Sequence, residues 1–532
     1  MSHLAAATTV RTPVCLDRPF SNFDHIEKFY DGSHPIHKLF SISRCHGART
    51  LLVEEVPAVG NIAEENEDLA GLDKGFRHLS LLRLSFWKPR FGGMLPPRLG
   101  SRDCIGYALL KQDKLTRRRK DGSAFLSDEW HVYEAVFHAY PHSHSYTKAK
   151  ARFEFTAGGR GFSITGCLYA EQNGVNKTCA QVALRSIATS YLGHNGISYR
   201  AINALAYRNC RKKDPSEGFR DFHTRKVLTG LGIEHHVVDY SGLSQKRRKP
   251  KAGGGFPAWE RYPCEKLLYA GVEAGCGALM SFKPTDPDVP SGDLHMIPFF
   301  GHTFNEDSWV PNAERTYFRI GNKVSYIPSM AWMSHFLVHD DNFGANLCIP
   351  RNFINRKDVR FVYEMRPKGW RYSGVDAETT AAFIVCSILV GKTLLENRWI
   401  TRMRKYQSNK GRVILRHVPI TTARYLKKLK SCRDWDGKRE PDDLIGALKS
   451  YLPKNRNLWM VEISVPEVFP TNKHKLGEIL LDASSPLDLE NDCNFIFGRL
   501  PGNFVLLDSV ADDGNLNFNF LSNGILSHTP LF

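Results

Sequence analysis

Cys179 closes the polar run Glu171-Gln-Asn-Gly-Val-Asn-Lys-Thr-Cys and opens the apolar-patterned run Ala180-Gln-Val-Ala-Leu-Arg-Ser-Ile-Ala-Thr-Ser-Tyr-Leu192. A helix over the second run puts the sulfur at its N-terminus, where unpaired backbone N–H groups and the helix dipole favour thiolate over thiol. A cysteine nucleophile also needs a base for its proton, an orienter for that base, and donors for the oxyanion of the tetrahedral intermediate. The chain offers each of these in order. Gln172 lies seven residues before Cys179, placed for its amide to share an oxyanion hole with the Cys179 backbone N–H. His295 opens the run His295-Met-Ile-Pro-Phe-Phe-Gly301 after a loop rich in Pro, Asp and Gly, and is the candidate base. Asp340 closes the next apolar run, Trp332-Met-Ser-His-Phe-Leu-Val338 followed by His339, and is the candidate orienter. Asn312 and Asp307 are alternative orienters, Asn312 lying seventeen residues after His295. Each of these residues also has an ordinary structural use. Free cysteine packs as a small hydrophobe, and Asp340-Asp-Asn-Phe-Gly344 is good turn chemistry.

The elements that must position these side chains are legible in outline. Arg152-Phe-Glu-Phe-Thr156 and Phe162-Ser-Ile-Thr165 flank Gly158-Gly-Arg-Gly161 as a hairpin leading into the cysteine segment. Gly193 ends the cysteine helix, Ser198 caps a second one, and a third runs through Phe219, Phe222, Val227 and Leu228. Strands are expected over 233–240, 277–282, 295–301 and 332–338, with a helix over 264–274 between the first two. Pro298 argues for an edge strand or a bulge in the histidine segment. His302 has opposite parity to His295 on an unbroken strand, which makes it a structural residue. Helices first and strands afterwards define an α+β arrangement.

In these residues the chain resembles the papain-like superfamily, and most closely its bacteriocin-processing, leader-cleaving cysteine peptidases. The matching elements are Gln172, Cys179-Ala180, the 277–282 strand, the six-residue step from His295 to Gly301, and Val338-His-Asp340-Asp341. The family commonly has glycine where this chain has Ala180 and proline where it has Asp341, and Gln172 stands one residue further from the cysteine. About 30 residues, His302 to His335, intervene between the histidine and aspartate strands. The resemblance covers residues 165–350 and implies peptide-bond hydrolysis by a Cys179 thiolate, with isopeptidase, deamidase and acyltransfer chemistry sharing the same constellation.

Beyond that segment the sequence is less specific. Its 532 residues divide on this reading into an N-terminal α+β region (1–150), a papain-like central domain (151–370) and a basic C-terminal α+β domain (371–532). Hydrophobic content is 42%, and the longest apolar run, Ala381 to Val390, is about half a membrane span, so no spanning segment is expected. The twelve cysteines form no CxxC pair and no HExxH occurs, so neither a metal nor another cofactor is expected. With no signal-peptide pattern at the N-terminus, the expected compartment is the reducing cytoplasm. The net charge of +17 is uneven. Residues 401–430 hold ten Lys or Arg and no acid, and 115–120 and 246–251 are short basic clusters. These fit either a solvated surface or an anionic partner such as nucleic acid. Such a partner defines the competing reading, a basic nucleic-acid- or protein-binding chain that uses a papain-like scaffold without hydrolysis.

Overall fold

The computed structural model describes residues 9–10, 13–16, 30, 33–138, 145–176, 178–193, 196–210, 218–241, 261–284, 294–304, 314–319, 322–391, 393–409, 411–434, 436–469, 473–511, 516–525 and 528–532. Three large sheets organise them. The first is antiparallel and eight-stranded, built from strands between Thr9 and Tyr169, with long central partners Arg77–Trp87, Cys104–Arg118 and Ala124–Phe137. The hairpin Ala151–Ala157/Arg160–Tyr169 closes this sheet, because Ala135–Phe137 pair with Cys167–Tyr169. It therefore lies in the N-terminal sheet and not in the central domain, where the boundary at residue 150 put it.

The central sheet carries the candidate site. Its strands are wholly antiparallel and run in the order His235–Asp239, Val359–Met365, Ala278–Phe282, His295–Phe304, Met333–Asp340, Gly344–Pro350. Alternating side chains give it two apolar faces. Leu279, Met296 and Tyr363 pack with Ala183, Leu184 and Ile187 of the helix Cys179–Leu192, while Ala278, Met280, Ile297 and Val362 pack with Leu267 and Leu268 of the helix Cys264–Glu273. The histidine strand is internal to the sheet. Pro298 is paired with Leu279 on one side only, since the ladder to the aspartate strand begins at Phe299↔Val338 and is offset before Gly301. The expected edge strand is thus a central strand that is unpaired on one side over its first residues. The irregularity the proline called for lies next to it.

The third sheet is eight-stranded and includes a hairpin, Glu314–Arg319/Asn322–Pro328, from within the segment between the histidine and aspartate strands. Ile327 and Pro328 pair in parallel with Ile414 and Leu415. The intervening segment therefore stitches the central region to the C-terminal one, and the boundary at residue 370 does not separate two independent sheets. A buried ion network crosses the same junction. Arg416 bridges Glu273 and Glu462 (3.0 Å to the latter), and Glu273 also accepts from His302 Nε2 at 2.8 Å. No helix among the described residues is long and apolar enough to cross a membrane.

Candidate active site

The site assembles where the cysteine helix meets the open end of the sheet. The helix starts at Cys179, and its N-cap residue Thr178 makes no side-chain cap bond, so the first-turn N–H groups remain available. The far end is closed by Gly193 in the left-handed region (φ +70), whose N–H bonds Thr189 O. Arg185, one turn and a half along, anchors the helix to the first sheet by donating to Tyr133 O (3.0 Å) and Glu134 (2.8 Å). The sulfur of Cys179 lies 3.7 Å from the carbonyl oxygen of Leu294, the residue before His295, which sets the thiol beside the start of the histidine strand.

Beyond Phe299↔Val338 the histidine and aspartate strands diverge, and the carboxylates fill the fork. His295 Nε2 is 3.2 Å from Asp340 Oδ2 and 3.3 Å from Asp341 Oδ1, and all three residues are buried. Asp340 is further fixed by accepting the Asn342 N–H at 2.9 Å. Cys179, His295 and Asp340 therefore come together as the sequence required. Gln172 reaches the same loop, where its Oε1 accepts the Thr178 N–H at 3.3 Å, and its amide faces Asp341. Asn312 and Asp307, the alternative orienters, lie outside the described residues, as does the basic cluster 246–251.

Electrostatics divides the two aspartates. Burial alone would lower the His295 pKa, but hydrogen bonds with Asp340 and Cys179 and the nearby carboxylates raise it well above the ordinary histidine value. Burial pushes Asp340 up, yet the hydrogen bond and charge of His295 hold it below the usual carboxylate range. Asp341 goes the other way. Burial and the neighbouring Asp340 charge raise it to about 6, against the opposing pull of His295. The arrangement is an imidazolium–Asp340 pair with a second carboxyl that titrates near neutrality.

Two participants were not singled out from sequence. Asp341 appeared only as a replacement for proline, although two adjacent acids at the end of a strand are a signal in themselves. Glu171 precedes Gln172 and is buried, its pKa pushed by that burial to about 7, with Oε2 accepting from Val132 N (2.9 Å) and Ser33 Oγ (3.3 Å). No sequence spacing reveals it, because its partners lie far back in the N-terminal region, Val132 in the first sheet and Ser33 at the start of the helix His34–Cys45. His302 joins the Glu273 network and takes no part in the site.

Metal ligation is the other chemistry these side chains permit. Among the described residues, His295, Asp340 and Asp341 form the one grouping with a ligand atom each within 4.8 Å of one another. Nitrogen and carboxylate oxygens suit a divalent cation, but the 3.2 and 3.3 Å separations are those of a hydrogen-bonded imidazole. Its members come from strands 45 residues apart in sequence, so no short-spacing motif marks the grouping. No family model matches the chain, and no curated protein matches it either.

Proposed function

We propose that the chain is a cysteine-dependent hydrolase, a peptidase acting on peptide or isopeptide bonds. One observation carries this reading, the Cys179 sulfur set against the residue before His295 while His295 Nε2 lies 3.2 Å from Asp340. Nε2 is engaged by Asp340, which leaves Nδ1 for the sulfur. His295 holds the proton as imidazolium beside the Cys179 thiolate, the thiolate attacks the acyl carbon, and the imidazolium passes its proton to the departing amine; the neutral ring then takes a proton from water, which releases the acyl group from sulfur. The Cys179 N–H at the helix terminus stabilises the oxyanion, with the Gln172 amide, braced between Thr178 and Asp341, as the neighbouring donor. Deamidation and acyl transfer differ from this only in the leaving group and the acceptor.

The test uses a mixture of denatured proteins as substrate, with new amino termini counted by mass spectrometry. Cys179→Ala and His295→Ala are each expected to reduce cleavage at least ~100-fold, and a chelator to leave it unchanged. Cleavage that survives Cys179→Ala, or that the chelator abolishes, contradicts the proposal. The second outcome transfers His295, Asp340 and Asp341 to a metal.

A second reading concerns the basic stretch. Helix Thr422–Ser431 buries Tyr425 and Leu429 and exposes Arg424, Lys427 and Lys430, a basic face suited to a polyanion, whereas helix Arg398–Ser408 packs on the other side of the third sheet. Duplex DNA is expected to bind with steep salt dependence and to be lost when Arg424, Lys427 and Lys430 are changed to Glu. Binding indifferent to those changes excludes this reading.

A further inference from the structure

The site has two sides, the segment that carries Gln172 to Cys179 and the turn from Asp340 to Gly344 that carries both aspartates. One N-terminal element touches them both. It is the helix His34–Cys45, whose Ile36, Leu39 and Phe40 share an apolar cluster with Ala345 on one side and Tyr169 on the other. Gly344 closes the aspartate turn, and a Cβ there would meet Lys38 Cβ at 2.8 Å and Pro35 Cα at 3.4 Å, so the start of the helix is seated directly against it. On the other side the contact is Glu171. Ser33 is the N-cap residue of the helix, but its side chain makes no cap bond, and its hydroxyl donates instead to Glu171 Oε2 at 3.3 Å. A cap hydroxyl ordinarily accepts a first-turn N–H, and here it serves a carboxylate 138 residues away.

Glu171 is tied to the first sheet as well. Its N–H donates to Val132 O at 2.8 Å and its Oε2 accepts the Val132 N–H at 2.9 Å, so one residue takes both backbone groups of Val132. The next residue is Gln172. Two residues before Glu171, the Tyr169 ring lies edge-on to that of His339, the neighbour of Asp340, with centroids 5.5 Å apart. We infer that Glu171 is a positioning residue, the clasp by which the helix His34–Cys45 and the first sheet hold the Gln172 segment against the aspartate turn, so that the N-terminal region is a working part of the site. What the clasp positions, an oxyanion donor, rests on the peptidase reading of Cys179. A carboxylate suits the task, because one oxygen can accept both donors and a charge-assisted bond is the stronger kind. An oxyanion donor acts in the transition state, so displacing it lowers kcat and leaves KM in place.

The test is a double-mutant cycle on the full chain, read by cleavage of labelled denatured casein and by amide hydrogen exchange. Glu171→Leu keeps the bulk without the acceptor and is expected to lower kcat about tenfold with KM and the Cys179 alkylation rate within about twofold of the parent. Glu171→Gln, which keeps an accepting oxygen, is expected to recover kcat to within about threefold. In a chain that already carries Gln172→Ala, Glu171→Leu should lower kcat by less than about twofold more, whereas a substitution that merely weakens the fold acts equally in both backgrounds. Ser33→Ala, a milder change on the helix side, repeats the cycle with a loss of about threefold. Both Glu171→Leu and Ser33→Ala should speed exchange at the Thr178 and Asn342 amides, one on each side of the site, by at least about threefold. An equal kcat loss in the two backgrounds, or exchange unchanged at either amide, overturns the inference. Faster exchange at both amides in a chain with no Cys179-dependent cleavage keeps the clasp and removes the peptidase. Cys179-dependent cleavage at the parental kcat in Glu171→Leu does the reverse.

Discussion

His295 faces two carboxyls whose environments push them apart, and that separation has consequences that can be measured. Asp341 has a folded pKa of about 6, above its ordinary value, so the native state holds its proton more tightly. Its ionisation therefore costs stability as pH rises from about 4 to about 6, on the order of 3 kcal/mol, and nothing further above that. His295 is a base whose pKa is also raised, so its contribution falls with rising pH in the same sense. Its raised pKa contributes stability that is complete below the unfolded value of 6.5 and is lost as pH rises through the folded value. Asp341→Asn is expected to be more stable than the parent above pH 6, measured by urea unfolding, and to lose the inflection near pH 6 in the Cys179 alkylation rate. Asp340→Asn, which gives Nε2 a neutral partner, is expected to slow cleavage ~100-fold or more, and Asp341→Asn to slow it less. Cys179, His295 and Asp340 were legible because each opens or closes an apolar run. Asp341 and Glu171 were hidden, since burial sets their behaviour and burial depends on strands contributed from elsewhere in the chain.

Gly277 shows how the cysteine helix and histidine strand are held at their working distance. Its φ is +82, and a Cβ there would meet Ile187 Cδ1 of the cysteine helix at 2.7 Å and Phe299 O of the histidine strand at 2.8 Å. Gly277→Ala is therefore expected to cost about 1–3 kcal/mol in urea unfolding, through both strained backbone and forced separation. The same variant should slow Cys179 alkylation relative to that of the exposed Cys45; equal stability and equal rates would mean that the contact does not set the spacing. At this scale the sequence was most readable. The helix expected over 264–274 spans Cys264–Glu273, and the strand expected over 277–282 spans Ala278–Phe282, because caps and apolar periodicity are local properties. Pro298 announced an edge strand or a bulge, and the register shift between Phe299 and Gly301 is the second of these, on a strand whose one-sided pairing satisfies a proline as well as an edge does.

The sheets interlock through contacts that no local pattern announces. The hairpin 314–328 leaves the central domain to pair in the third sheet, and Arg416 reaches back from that sheet to Glu273. Arg416→Met leaves Glu273 and Glu462 buried without it and is expected to cost about 3–5 kcal/mol, loosening central and C-terminal regions together in hydrogen exchange. The network also fixes an acid limit. Burial pushes Glu273 and Glu478 up, but Arg416 and Lys148 hold the first well below the usual range, and Arg499 and Lys475 hold the second at about 2. Their stabilisation is complete above about pH 4.5 and is lost as pH falls through those depressed values. Charge counting along 401–430 mixed two uses of cations. Arg416 belongs to this core, and Arg404 donates to the Leu389 and Gly391 carbonyls at 2.8 and 2.7 Å, so neither adds to an exposed basic face.

The most direct measurement is competitive alkylation of the folded chain by limiting iodoacetamide at neutral pH, with each cysteine quantified by mass spectrometry. Cys45 and Cys348 are exposed and serve as internal references, whereas Cys179 is only partly exposed. An activated thiolate predicts that Cys179 reacts first despite its lower exposure, and that His295→Ala brings its rate to or below that of Cys45. Cys179 reacting no faster than the two references, or keeping its rate without His295, would contradict the assignment of these residues to one catalytic relay.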